Sequence, residues 1–90
     1  MTLPIEITRL IDKNEIEKAI VEITGLITSS PDDASLYYER GKLFWRTEQR
    51  RAAINDYARA AELDSTSPAG EALKQAFAIM QFYDKSRYNP

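Results

Sequence analysis

The side chains that most often carry out chemistry in proteins are missing from this chain. It contains neither cysteine nor histidine, so it lacks thiolate and imidazole nucleophiles, the commonest general base and nearly all zinc ligands. Its carboxylates are scattered at spacings that suit ion pairs on helix surfaces, such as Asp56 with Arg59. The sequence has no paired-acid arrangement and no glycine-rich phosphate loop. We therefore predict a protein that is not an enzyme and that needs no cofactor or metal.

A basic cluster in the middle of the chain is the second group that could do chemistry. Its members are Arg40, Lys42, Arg46, Arg50 and Arg51, with Glu39 and Glu48 among them. Such a cluster could steer an acidic peptide or a nucleic acid towards the protein. Only a few phosphates could be reached, however, and the chain has a net charge of −2. We therefore interpret the cluster as a solvated face and do not expect nucleic-acid binding.

Apolar residues spaced three and four apart run through the whole chain and predict an all-α fold with five helices. The expected ranges are 3–12, 15–28, 34–46, 48–63 and 68–84. The turns between them are short, so neighbouring helices should run antiparallel. Alternation with a period of two, which would indicate strands, never lasts.

Several single residues carry local expectations. Asn14 tolerates the left-handed conformation and should end the first helix. Thr47 is expected to cap the fourth helix and Ser67 the fifth. Gly25 and Gly41 lie inside predicted helices, where glycine costs about 1 kcal/mol relative to alanine. We therefore expect a neighbouring helix to come close to each glycine.

The predicted helix pairs repeat each other at a distance of 34 residues. At this distance Ala19 corresponds to Ala53, and Ile23 corresponds to Tyr57. A helix–turn–helix period of this length is typical of stacked repeats, in which each pair buries its apolar face on the next.

With this period the chain resembles the tetratricopeptide repeat (TPR) family. The residues that match the family pattern are Tyr37, Gly41, Phe44, Ala53, Tyr57 and Ala60. The departures are Arg40 for leucine, Glu48 for the common turn glycine, Arg50 for an aromatic residue and Ser65 for proline. The resemblance implies an α-solenoid in a single domain, 1–90. It would consist of a first repeat with an atypical first helix (1–33), a second repeat (34–67), a capping helix (68–84) and a tail (85–90).

The resemblance also implies a binding site, because TPR proteins hold a partner peptide in the groove formed by the first helices of the repeats. The matching positions here are Tyr38, Lys42, Trp45 and Arg46, with Thr8, Ile11 and Asp12 from the first repeat. An aromatic residue beside cations is a common composition for binding hot spots. Alternatively, Trp45 packs under the fifth helix while Lys42 and Arg46 are merely solvated. The family's clamp for a terminal carboxylate is not expected, because Pro4, Thr8 and Glu39 occupy its positions.

The fifth helix is apolar around most of its circumference. One stripe should cap the repeats: Ala69, Leu73, Ala76, Phe77 and Met80. This leaves over Ala72, Ile79, Phe82 and Tyr83. A helix that is apolar all round needs burial on both sides. Either it folds into the groove beside Trp45, or it offers a surface to a partner or to a homodimer, the latter through Ile79, Phe82 and Tyr83.

The sequence thus predicts a small adaptor that binds a protein or peptide partner without catalysis. A homo-oligomeric assembly module that associates through the fifth helix is the alternative, and a unit that assembles onto a larger machine is a third. No run of about 18 apolar residues and no basic leader followed by a long apolar run occurs. We therefore expect no membrane association and a cytoplasmic location.

Overall fold

The chain folds into five α-helices, in a computed structural model that describes the backbone of residues 3–88 and the side chains of residues 3–82. The helices are α1 (Ile5–Asp12), α2 (Ile16–Ser29), α3 (Ala34–Arg46), α4 (Arg50–Leu63) and α5 (Ala69–Tyr88). There is no strand within 3–88. The all-α prediction is confirmed, and α3 has the predicted bounds. Helix α5 continues beyond its expected end near residue 84.

Helices that follow one another in the chain pack against one another. On α3 and α4, Arg40 pairs with Asp56 while Trp45 lies against Arg50. The residue number falls on α4 as it rises on α3, so these two helices are antiparallel, as the short turn predicts.

The turns α1–α2 and α3–α4 have the same backbone hydrogen bonds at an offset of 34 residues. The amide of Glu15 donates to the carbonyl of Leu10 over 2.8 Å, and the amide of Gln49 donates to that of Phe44 over 2.9 Å. In each turn the residue before this amide is left-handed, with φ 62° at Asn14 and 63° at Glu48. The expectation for Asn14 is confirmed, and a glutamate adopts the same conformation where glycine is the easier choice.

One cap differs from its prediction. Thr47 does not cap α4, because Gln49 occupies the N-cap position. Thr47 instead ends α3, where its hydroxyl donates to the carbonyl of Leu43 over 3.1 Å. The left-handed Glu48 lies between Thr47 and the start of α4, so the threonine cannot reach the first free amides of that helix.

The starts of α3 and α5 also correspond at the 34-residue offset. The carboxylate of Asp33 accepts from the amide of Ser35 over 3.0 Å. The hydroxyl of Ser67 accepts from the amide of Ala69 over the same 3.0 Å, which confirms Ser67 as the predicted cap.

The buried side chains form two clusters, and residues of α3 contribute to the first and pack against the second. The first cluster is aliphatic and consists of Ile7, Ile16, Ala19, Ile23, Leu36 and Leu43. The second is built around alanines and one tyrosine: Ala53, Tyr57, Ala60, Ala69 and Ala76. From α3, Tyr37, Tyr38, Phe44 and Trp45 pack partly buried against the second cluster. Helix α3 is therefore the central element of the fold.

The two glycines differ in their surroundings. A Cβ at Gly41 would lie 2.8 Å from Cε1 of Tyr57, so the predicted close approach of a helix is confirmed there. A Cβ at Gly25 would meet nothing within 4 Å, so the same prediction for Gly25 is wrong. Position 25 is solvent-exposed, and among side chains 3–82 no packing contact requires a glycine there.

Helix α5 presents a different stripe from the predicted one. Ala69 and Ala76 are buried as expected, but Phe77 is 50% exposed, while Ala72, which was left over, packs against the second cluster. The buried stripe of α5 is therefore formed by small residues, and Phe77 lies outside it. Phe82, which the sequence placed either in the groove or on an interaction surface, is exposed, and the side chain of Tyr83 lies outside the described residues. Within 3–88, no helix combines the length and apolar character needed to cross a membrane.

Candidate functional site

A half-open cleft of about 120 Å³ lies where α3, α4 and α5 meet. Its lining is Trp45, Tyr57, Ala72, Gln75, Ala76 and Ile79, and we call it the Trp45 cleft. None of these side chains is charged. A cleft of this kind can accept an apolar side chain but offers little to a charged one.

Trp45 forms one wall of the cleft and is half-buried. The guanidinium of Arg50 lies 4.7 Å from the centre of its ring, a cation–π contact between the end of α3 and the start of α4. The sequence left open whether Trp45 packs under the fifth helix or is available to a partner. In the structure α5 lies beside Trp45, with Ala76 and Ile79 across the cleft. The cleft between them is half-open, so α5 covers Trp45 only in part.

Tyr57 forms the floor of the cleft and is 5% exposed. Burial raises the pKa of its phenol above the ordinary value, and the nearby Tyr38 and Asp56 raise it further. The phenol therefore stays neutral at physiological pH, and the floor adds no charge to the cleft.

Tyr38 and Lys42 lie one helical turn apart on the same side of α3. The ring of Tyr38 packs on that of Tyr57, with centroids 6.0 Å apart and planes tilted by 43°. The ammonium of Lys42 lies 4.8 Å from the centre of the Tyr38 ring and 3.1 Å from Oε1 of Glu39. Lys42 therefore has its charge balanced by a carboxylate of its own helix.

Arg46 completes the predicted set and is exposed. Its Nη2 donates to Oδ1 of Asn14, in the α1–α2 turn, over 3.3 Å. Among side chains 3–82, no carboxylate lies within ion-pair distance of Arg46. The guanidinium therefore has a neutral partner that orients it, and its charge faces solvent.

The four predicted residues thus form one stripe along α3. At 38, 42, 45 and 46 they lie within one face of a helix. The two aromatic residues are turned towards the second cluster, and the two cations lie at the solvent edge. Of the predicted residues on α1, Thr8 and Asp12 are exposed, and Ile11 is packed partly against the first cluster.

A buried ion pair beside this stripe was missed by the sequence interpretation. Nε and Nη2 of Arg40 donate to the two carboxylate oxygens of Asp56 over 2.7 and 2.8 Å. Nη1 also donates to Oγ1 of Thr24 over 3.2 Å. The hydrogen bonds and charge of Asp56 raise the pKa of Arg40 further above its ordinary value. One guanidinium thereby links α2, α3 and α4.

The predicted pairing of Asp56 with Arg59 is wrong. Asp56 points into the helix interface, and Arg59 pairs instead with Glu62 on the surface of α4. A signal for the true pairing existed in the sequence. Arg40 occupies a position where the TPR pattern has leucine, and a cation on a buried helix face needs an anion from another helix.

No grouping of three or more Asp or Glu side chains able to hold a metal ion occurs within residues 3–82. Comparison with models of protein families, with curated proteins and with solved structures finds nothing that matches this chain.

Proposed function

We propose that the chain is a non-catalytic protein-interaction module of the TPR type that binds a peptide or protein segment along α3. The observation that carries the proposal is the uncharged, half-open Trp45 cleft, which is lined by one of the four residues predicted on α3. A partly covered aromatic side chain beside an uncharged cleft is a common setting of an interface hot spot.

The repeated turn geometry supports the TPR part of this proposal. Hydrogen bonds at both turns and at two helix starts recur at an offset of 34 residues. This is the period expected for stacked helix pairs of that type. The close contact of Gly41 with Tyr57 agrees with the role of small residues between such helices.

The cleft can bury about one side chain of a partner, so it contributes a small binding free energy. Burying one leucine-sized side chain contributes about 1.5–3 kcal/mol. Trp45 is held by Arg50 and the second cluster before a partner arrives, so little side-chain freedom remains to be lost. A segment with one anchored side chain and polar contacts around it would bind weakly and exchange quickly.

The experiment is selection of a displayed random 12-residue peptide library on the intact protein, followed by titration of the enriched peptides. Trp45 is the only tryptophan, so its fluorescence reports on the cleft directly. Trp45→Ala should weaken binding at least tenfold, measured by anisotropy of labelled peptide. Phe77→Ala is the matched control, since Phe77 is exposed and not part of the cleft lining. Equal affinity of the wild type and Trp45→Ala, with helicity unchanged, would refute the site.

Self-association through α5 is the second candidate, and the exposed apolar residues of that helix favour it. Ile79 is 40% and Phe82 is 67% exposed. A surface of this kind on a small protein is often covered by a partner. Sedimentation over a hundredfold range of concentration tests the idea, and Ile79→Glu should return a dimer to the monomer. A strict monomer at the highest concentration would exclude it.

A further inference from the structure

We infer that the segment bound at the Trp45 cleft carries a large apolar side chain with a carboxylate close to it. The inference rests on the proposed function and specifies the chemistry of the partner. The apolar side chain would enter the cleft, and Arg46 would bind the carboxylate.

The size and lining of the cleft determine the first half of this motif. A cavity of about 150 Å³ lined by apolar side chains can hold benzene, and the Trp45 cleft measures about 120 Å³. It therefore suits a leucine, a methionine or part of an aromatic ring. Apart from the aromatic residues, Gln75 is the only polar side chain in the lining. A charged group inside the cleft would therefore lose its hydration and gain few hydrogen bonds to replace it.

The second half of the motif follows from the charges beside the cleft. Arg46 is adjacent to Trp45 in α3, and among side chains 3–82 no carboxylate balances it. Lys42, in contrast, is paired with Glu39. Arg46 therefore gives α3 a positive charge at the position next to a residue of the cleft lining, and the guanidinium of Arg50 lies 4.7 Å from the centre of the Trp45 ring. These charges are positive although the whole chain is negative. Such a local potential favours an anionic group on the partner and disfavours a cationic one.

One hydrogen bond holds the guanidinium of Arg46 in place. Its bond to Asn14 uses Nη2 and leaves other N–H groups of the guanidinium to donate. A guanidinium with two adjacent N–H groups can bind both oxygens of one carboxylate. The turn residue Asn14, with φ 62°, thus acts as a positioning residue for Arg46.

The test uses matched peptide pairs made from the sequences that the library selection enriches. In each pair, an Asp or Glu close to the apolar anchor is retained or replaced by Asn or Gln. The wild-type protein should bind the acidic member about tenfold more tightly, and the difference should shrink between 50 and 300 mM NaCl because salt screens exposed charges.

Three variants separate the contributions. Arg46→Gln should remove the preference for the acidic peptide while both peptides still bind. Arg51→Gln is the control, because Arg51 is an exposed arginine on α4 and should leave the preference unchanged. Asn14→Gly keeps a left-handed turn but deletes the amide that orients Arg46, so it should reduce the preference about threefold without loss of helicity.

Two results would overturn the inference and leave the proposed function standing. One is enrichment of apolar peptides with no excess of acidic residues, and the other is an Arg46→Gln variant that still prefers the acidic member. Peptide binding that is indifferent to Trp45→Ala would refute the proposed function itself, and the inference with it.

Discussion

The two antiparallel helix pairs, α1–α2 and α3–α4, have equivalent turns but fill the space between their helices in different ways. At the 34-residue offset, Ile7 and Ile23 of the first pair correspond to Gly41 and Tyr57 of the second. All four positions are buried. In the first pair, both helices contribute an isoleucine side chain. In the second pair, α3 contributes a glycine, which has no side chain, and α4 contributes the ring of Tyr57. Two helix pairs with equivalent turns can therefore fill the space between their helices with side chains from both helices or with a large side chain from one of them.

The polar residues next to these positions differ as well. Glu6 and Glu22 of the first pair are exposed, and their equivalents in the second pair are Arg40 and Asp56. The tyrosine ring and the glycine bring α3 and α4 together so that this ion pair is enclosed, with 18% and 7% of the two side chains exposed. Where the packing differs at these two positions, the neighbouring charged residues are enclosed as an ion pair in the second helix pair and exposed in the first.

The largest effect is expected when the ion pair is broken. Arg40→Met leaves Asp56 buried without its cation and should destabilise the fold by about 3 kcal/mol or more, measured by urea unfolding. Replacing both charges, in Arg40→Met with Asp56→Leu, should recover most of that loss, because an apolar pair of similar volume is often as stable.

The matched control lies at the equivalent position of the first pair. Glu6→Met should change the unfolding free energy by less than about 1 kcal/mol, since Glu6 is exposed and only its place in the first turn of α1 matters. Similar losses from Arg40→Met and Glu6→Met would mean that the two sites do not differ as described.

A smaller effect is expected from filling the glycine position. Gly41→Ile would place its Cβ 2.8 Å and 2.9 Å from Cε1 and Cδ1 of Tyr57. Overpacking of this kind costs about 1–3 kcal/mol. Adding Tyr57→Ile reproduces the isoleucine pair of the first helix pair and should recover part of the loss. A double-mutant cycle in thermal unfolding measures the coupling, and strictly additive losses would show that the volume is not shared between the two positions.

The smallest effect, and the only gain, is expected at Gly25. Because a Cβ there meets nothing within 4 Å, Gly25→Ala should stabilise the protein by about 1 kcal/mol through helix propensity alone. Gly41→Ala is the natural comparison and should destabilise. Unfolding of the two variants in the same urea series decides the sign, and a loss at Gly25 would mean that the glycine has a role in packing after all.

Much of this architecture was predictable from neighbours in the chain. The five helices, the bounds of α3, the left-handed Asn14 and the Ser67 cap all depend on residues a few positions apart. The cap at Thr47 was mispredicted because the left-handed residue after it was a glutamate, which has no strong preference for that conformation. For the candidate site, the spacing of the α3 stripe was predictable, but the cleft was not, because its other walls come from α4 and α5.

The helices, the 34-residue period and the positions of the polar turns could be read from the chain alone, because they follow from backbone propensity and the spacing of apolar residues. Which side chains meet across the helices became known only from the packed fold. Arg40 and Asp56 are 16 residues apart on different helices, and Phe77 is exposed although its neighbour Ala76 is buried. Such contacts depend on the rotation and separation of packed helices, which no local pattern specifies.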